Sequence, residues 1–178
     1  MAVNYVVLLR GINTGGLSLK MADLQRLAAE LGYINAMTIL ASGNLLIKSD
    51  NSKTNIQDEI SAALTTFMSK PIDCLVRTQA ELHALLDESD FEAPDYTHYI
   101  LFCDQPLYEQ LYPRFLDSEH DDKENLFGKT NDLHWIVKKG NTLSEFGSKT
   151  LGNKKYKSIL TSRNLNTIKK ILAGFDKL

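Results

Sequence analysis

Tyr5-Val6-Val7-Leu8-Leu9 is an unbroken apolar run, rich in β-branched residues and closed by Arg10 and Gly11, and it predicts a buried strand over 4–10. From Ala22 the period changes: Leu24, Leu27, Ala28 and Leu31 recur at helical spacing, and Gly32 stands where a helix C-terminal cap belongs. Met37–Ala41 and Leu45–Lys48 read as two strands joined through Ser42-Gly43-Asn44, whose turn chemistry favours positive φ and hence a hairpin. Thr54-Asn55-Ile56-Gln57 has the form of a capping box. Ile56, Ile60, Ala63, Leu64, Phe67 and Met68 extend it as an amphipathic helix that Pro71 ends. A strand over Ile72–Arg77 follows.

The first 77 residues therefore read strand, helix, strand, strand, helix, strand, the βαββαβ order of ferredoxin-like folds. A second capping box, Thr78-Gln79-Ala80-Glu81, opens a short connecting helix, and Phe91–Asp95, with Pro94, marks a boundary. Beyond it come a strand at His98–Phe102, a helix entered at Pro106 and stopped near Pro113, an exposed acidic run over Asp117–Glu124, and strands at Asn125–Phe127 and Leu133–Val137. A last helix is expected over Thr161–Phe175. The fold class is α+β: a ferredoxin-like subdomain over 1–77, a helical connector over 78–95, and over 96–178 a second, degenerate α+β subdomain of similar order that lacks the last strand and ends in that helix.

With 178 residues, 43% of them hydrophobic, the chain has material for a packed core and is not a disordered or fibrous protein. The N-terminal residues show no leader pattern and no apolar run reaches membrane-spanning length, so a soluble, cytoplasmic protein with no membrane partner is expected. Two cysteines, Cys74 and Cys103, form neither a disulfide framework nor a metal motif, and Cys103 reads as a buried thiol. His83, His98, His120 and His134 share no ligand spacing, so neither a metal nor a cofactor is expected. The net charge of −2 hides an asymmetry. Residues 81–124 hold 13 acidic and 2 basic side chains; residues 138–178 hold 10 basic and 2 acidic.

Three segments are candidates for chemistry. In Arg10-Gly11-Ile12-Asn13-Thr14-Gly15-Gly16, three glycines let the backbone approach a ligand, while Leu17 occupies the place where a phosphate-binding P-loop needs lysine. Arg10, at the end of a buried strand, requires a counter-charge, solvent or an anion. Ser42-Gly43-Asn44 is either a plain hairpin turn or part of a site. Thr161-Ser162-Arg163-Asn164-Leu165-Asn166-Thr167 opens the last helix, and Arg163 at the positive end of a helix dipole calls for a negative partner, whether a carboxylate or a bound anion.

These segments, with Met21-Ala22-Asp23-Leu24, resemble the bacterial family known as domain of unknown function 1697, and the likeness runs from the first strand to the last helix. Two positions depart from that family's pattern: Ala41 stands where glutamine is frequent before Ser-Gly-Asn, and Leu165 where tryptophan is frequent between the two asparagines. The resemblance implies an α+β fold of ferredoxin-like units and no particular reaction. It also suggests that the three segments work together.

The leading expectation is one polar site for a small anionic or phosphorylated ligand. Arg10 and Arg163 supply charge, Ser42, Asn13, Asn44, Asn164, Asn166 and Thr167 orient the ligand, and Gly11, Gly15, Gly16 and Gly43 allow close approach. No nucleophile or base identifies an enzymatic step. A second reading is nucleic-acid binding through Lys149, Lys154, Lys155, Tyr156, Lys157 and Arg163, disfavoured by the acidic overall balance and the shortage of strand aromatics. A third makes the motifs internal hydrogen-bonding glue.

Overall fold

The computed structural model describes the whole chain except residues 14–16, 90, 92, 119–123, 130, 143, 144, 157 and 158. It divides into two compact units, one of residues 1–87 together with 167–178, the other of residues 88–166.

In the first unit β1 (Val3–Leu9), α1 (Met21–Glu30), β2 (Met37–Thr38), β3 (Asn44–Ser49), α2 (Lys53–Met68) and β4 (Cys74–Thr78) form an antiparallel sheet in the order β2-β3-β1-β4, the ferredoxin-like arrangement. Alternation along the strands gives the sheet two faces. Tyr5, Val7, Leu9, Leu45, Ile47, Cys74 and Val76 pack beneath α1 and α2 with Leu24, Ala28, Ile56, Ile60 and Leu64. The cap of α2 is Ser52, whose hydroxyl accepts from Asn55 N at 3.2 Å, so the helix begins before the expected Thr54 box. The Thr78 box forms as expected: Thr78 N donates to Glu81 at 2.7 Å and Glu81 N to Thr78 Oγ1 at 3.1 Å, opening α3 (Gln79–Asp87).

The second unit repeats this order with β5 (Tyr96–Cys103), α4 (Tyr108–Leu116), β6 (Glu124–Phe127), β7 (Leu133–Lys138), α5 (Phe146–Gly152) and β8 (Leu160–Asn164), in sheet order β6-β7-β5-β8. Leu101, Cys103, Leu126, Leu133, Trp135, Val137 and Leu160 pack with Leu111 and Phe115 of α4. The repeat is more complete than expected, because 160–164 is a strand and α6 begins only at Leu165 and runs to Phe175. Thr-Ser-Arg-Asn resembles a helix cap in isolation, but β5 offers a hydrogen-bonding edge that takes it up as strand, Cys103 opposite Leu160 through Tyr99 opposite Asn164.

Three further expectations need correction. The helix α4 continues through Pro113 to Leu116; the bond that proline cannot donate belongs to Glu109, which is exposed to water. Glu124 is no part of an exposed acidic loop but a buried carboxylate that opens β6. It accepts from the Trp135 indole and from the backbone N–H groups of Phe146 and Gly147 at 3.0 and 2.9 Å, tying α5 to the sheet. The helix α6, placed by the sequence in the second subdomain, has Thr167–Leu178 in the first unit. A Cβ built on Gly174 would lie 2.8 Å from Leu46 and 2.9 Å from Ile39, so glycine is what lets α6 lie against the sheet face opposite α1 and α2. Residues 119–123 of the acidic run lie outside the described residues. Among the described residues no helix is long and apolar enough to cross a membrane.

Candidate functional site

Two of the three singled-out segments meet at one end of the first sheet. Arg10 follows β1 directly, half-buried, with its N–H donating to Asp73 O at 3.1 Å. Burial pushes its guanidinium pKa down and the Asp73 charge opposes that shift. Gly11, at φ +64, is exposed and a Cβ there would touch nothing. Asn13, at φ +57, holds the loop shut: its Nδ2 donates to Leu19 O at 3.1 Å and Ala41 O at 2.6 Å, while its Oδ1 accepts from Leu19 N at 2.9 Å. Both amide donors are thereby used, one closing the loop on Leu19 and one joining it to the residue before Ser42.

The turn is braced the same way. Asn44 is fully buried and its Nδ2 donates to Ile39 O at 2.8 Å and to Ser42 Oγ at 3.0 Å. Gly43 O accepts from Leu9 N at 2.8 Å. Gly43 has φ +74, and a Cβ there would lie 2.8 Å from Leu9 Cβ, so close approach and backbone conformation both require glycine. Asn13, Gly43 and Asn44 are therefore the frame of this end of the sheet. Gly11 and Ser42 are exposed beside it, and Arg10 is half-buried. Gly15 and Gly16 lie outside the described residues.

The third segment is placed differently. Arg163 stands in β8 opposite Ile100, not in the first turn of a helix, so the helix-dipole argument does not apply to it. Its Nη1 donates to Ser162 O at 2.8 Å and Thr161 Oγ1 at 3.1 Å, and burial lowers its pKa to about 10. Asn164 ends β8, Asn166 is exposed in the first turn of α6, and Thr167 is buried in that helix within the first unit.

Arg77 was not legible as a special residue, yet it is the register equivalent of Arg163. It lies in β4 opposite Val6, as Arg163 lies in β8 opposite Ile100, is similarly buried, and its Nη1 donates to the preceding carbonyl, Val76 O, at 2.8 Å. A buried pair of histidines in the second unit was also missed. His98 Nε2 and His134 Nδ1 are 2.8 Å apart, although the residues are 36 positions apart in sequence. Only the β5–β7 register, with Ile100 opposite His134, brings them together. Among the described residues no group of three or more His, Cys, Asp or Glu side chains could hold a metal ion. Tyr156, the aromatic of the basic stretch, is buried and its hydroxyl accepts from Arg114 at 2.9 Å, so it is no stacking platform for bases.

The fold and this end of the sheet define a tandem ferredoxin-like α+β protein with a braced glycine loop. The chain belongs to the family described as protein of unknown function DUF1697, whose model matches residues 2–132. Among solved structures it is similar to a conserved bacterial protein from Streptococcus pneumoniae, with a TM-score of 0.79 at 21% identity over 99% of both chains, a likeness of fold. An unknown protein from Galdieria sulphuraria aligns over 99% of this chain and 91% of its own with 12% identity and a TM-score of 0.28, which carries no argument. No curated protein matches the chain.

Proposed function

We propose that the chain binds a small anionic ligand at the end of the first sheet, with the Arg10 guanidinium as its charged contact and the Gly11 backbone and Ser42 hydroxyl as neighbouring polar contacts. The observation that carries this reading is the Asn13 bridge. It joins the glycine loop to the Ser-Gly-Asn turn before any ligand arrives, so the ordering cost of forming the site is met by the fold. Arg163 belongs to the architecture of the second sheet in this reading, because Arg77 occupies the same register with the same backbone bond. The role proposed here is binding, and no reaction is assigned to the site.

The test is an amide NMR titration of the isotopically labelled chain with inorganic phosphate, pyrophosphate and a nucleoside triphosphate at millimolar concentrations. Saturable shifts at Arg10, Gly11 and Ser42, lost in Arg10→Gln while that variant keeps its unfolding temperature, are expected. Absence of shifts at these amides with all three anions would leave the motifs as internal hydrogen-bonding glue.

A further inference from the structure

The face of the second sheet opposite α4 carries a polar array that the anion site does not use. His98 is 8% exposed and His134 not at all. With His98 Nε2 and His134 Nδ1 at 2.8 Å, one nitrogen must donate and the other accept, so the bond exists only while at least one of the two is bare. His134 Nε2 lies 3.4 Å from Glu88 Oε2, an electrostatic contact without hydrogen-bond geometry, and that carboxylate favours the His134 proton on Nε2. His134 Nδ1 then accepts from His98 Nε2–H, and His98 Nδ1 is left as a bare, buried acceptor with no hydrogen-bond partner among the described residues. The rings around it are apolar: Phe127 stacks on His134 at 4.7 Å between centroids, and Phe91 meets His98 edge-on at 6.3 Å and Tyr96 at 5.7 Å.

We propose that Glu88, His134 and His98 form an acid-sensitive latch that seats Glu88 and Phe91, two of the described residues that follow α3, on the second sheet. In the neutral pair the two rings add no charge to a face that already carries buried Arg163, with the Glu88 carboxylate at its edge. The first added proton goes to His98 Nδ1, where among the described residues no acceptor receives it. A second proton puts two N–H groups face to face and breaks the pair. Phe91, which is partly exposed, is the cover whose departure admits water.

The other titratable or charged groups on this face, among the described residues, are Tyr96 of β5, Lys138 at the end of β7 and Arg163 of β8, with Asp132 just before β7. Asp132 is engaged as acceptor for Cys103 N at 2.9 Å, Lys138 is exposed, and Arg163, already cationic, disfavours a further positive charge on its face. Burial lowers both histidines from 6.5 to about 4, with the His134 charge adding to the shift at His98. Each ring takes a proton more readily opened than seated. The latch is therefore closed above the ordinary histidine range and is lost as pH falls from there through about 4.

Hydrogen exchange of the full chain at pH 7.5 and 5.5, corrected for intrinsic rates, tests this together with NMR titration of the histidine ring protons. Expected is a fall in protection at Glu88, Phe91 and β5 of about tenfold for each histidine exposed, with β1 and β3 unchanged. In His98→Gln the response should shrink to the roughly tenfold share of His134 alone. Unchanged protection at those amides, ordinary titration of both rings near 6.5, or the same acid response in His98→Gln would overturn the proposal. Should His98→Gln fail to fold, the two wild-type measurements decide.

Discussion

The two units share a strand order and a register but spend their polar residues in different places. Row by row, Leu46, Val6 and Arg77 in the first sheet stand where His134, Ile100 and Arg163 stand in the second. At the end of β1 the turn is held by backbone, Leu9 N to Gly43 O, whereas at the end of β5 it is held by a carboxylate, Cys103 N to Asp132 Oδ1. Arg10 follows the first strand and Asp104 the second. What recurs in both units, the arginine on the last strand bonded to its preceding carbonyl, is a requirement of the architecture. What differs, a basic loop end in one and a buried histidine pair in the other, is where separate functions can lie.

The largest expected effect separates the units through the single tryptophan. A Cβ built on Gly147 would overlap the Trp135 indole, so Gly147→Ala has to displace α5 or the indole and should cost the second unit about 3 kcal/mol or more. Trp135 fluorescence in a urea titration reads that unit alone, and a midpoint equal to that of the wild type would refute the close packing. Next come Arg77→Met and Arg163→Met, which should each cost about 1–3 kcal/mol, since each removes a buried guanidinium from the same backbone carbonyl. A large loss from one and none from the other would end the equivalence of the two positions.

Smaller effects sharpen the distinction between frame and surface at the first unit's loop end. Gly43→Ala and Asn13→Ala should each lower stability by about 1–2 kcal/mol, the first through strain and contact with Leu9, the second through three lost hydrogen bonds. Arg10→Gln should change the unfolding midpoint little by comparison. The smallest effect is that of Glu81→Gln, under about 1 kcal/mol by thermal unfolding. Burial raises the Glu81 pKa, but Lys53 and the Thr78 donors outweigh it and the net shift is downward. The contribution is therefore present above the ordinary carboxylate pKa and is lost as pH falls below it.

Most of the first unit is legible in the chain because its elements are marked locally: the Tyr5–Leu9 run, the α1 spacing, the Thr78 capping box. The glycine loop and the Ser-Gly-Asn turn are legible as well, since positive φ leaves glycine and asparagine behind. The rest depends on pairing between distant segments. Thr161–Asn164 becomes strand because β5 is beside it, Glu124 is buried because the Trp135 indole and the start of α5 face it, and His98 meets His134 only through a register that no periodicity displays. Polar residues in these places look like caps and solvated loops until a tertiary partner redefines them.

The return of Thr167–Leu178 to the first unit has a consequence for biosynthesis. Residues 167–178 are made after all the rest of the first unit and after the whole second unit, so the first unit reaches its final packing only once they have come back to it. Until then Leu46 and Ile39 lack the Gly174 contact, and the interval is one in which a chaperone has an apolar surface to hold.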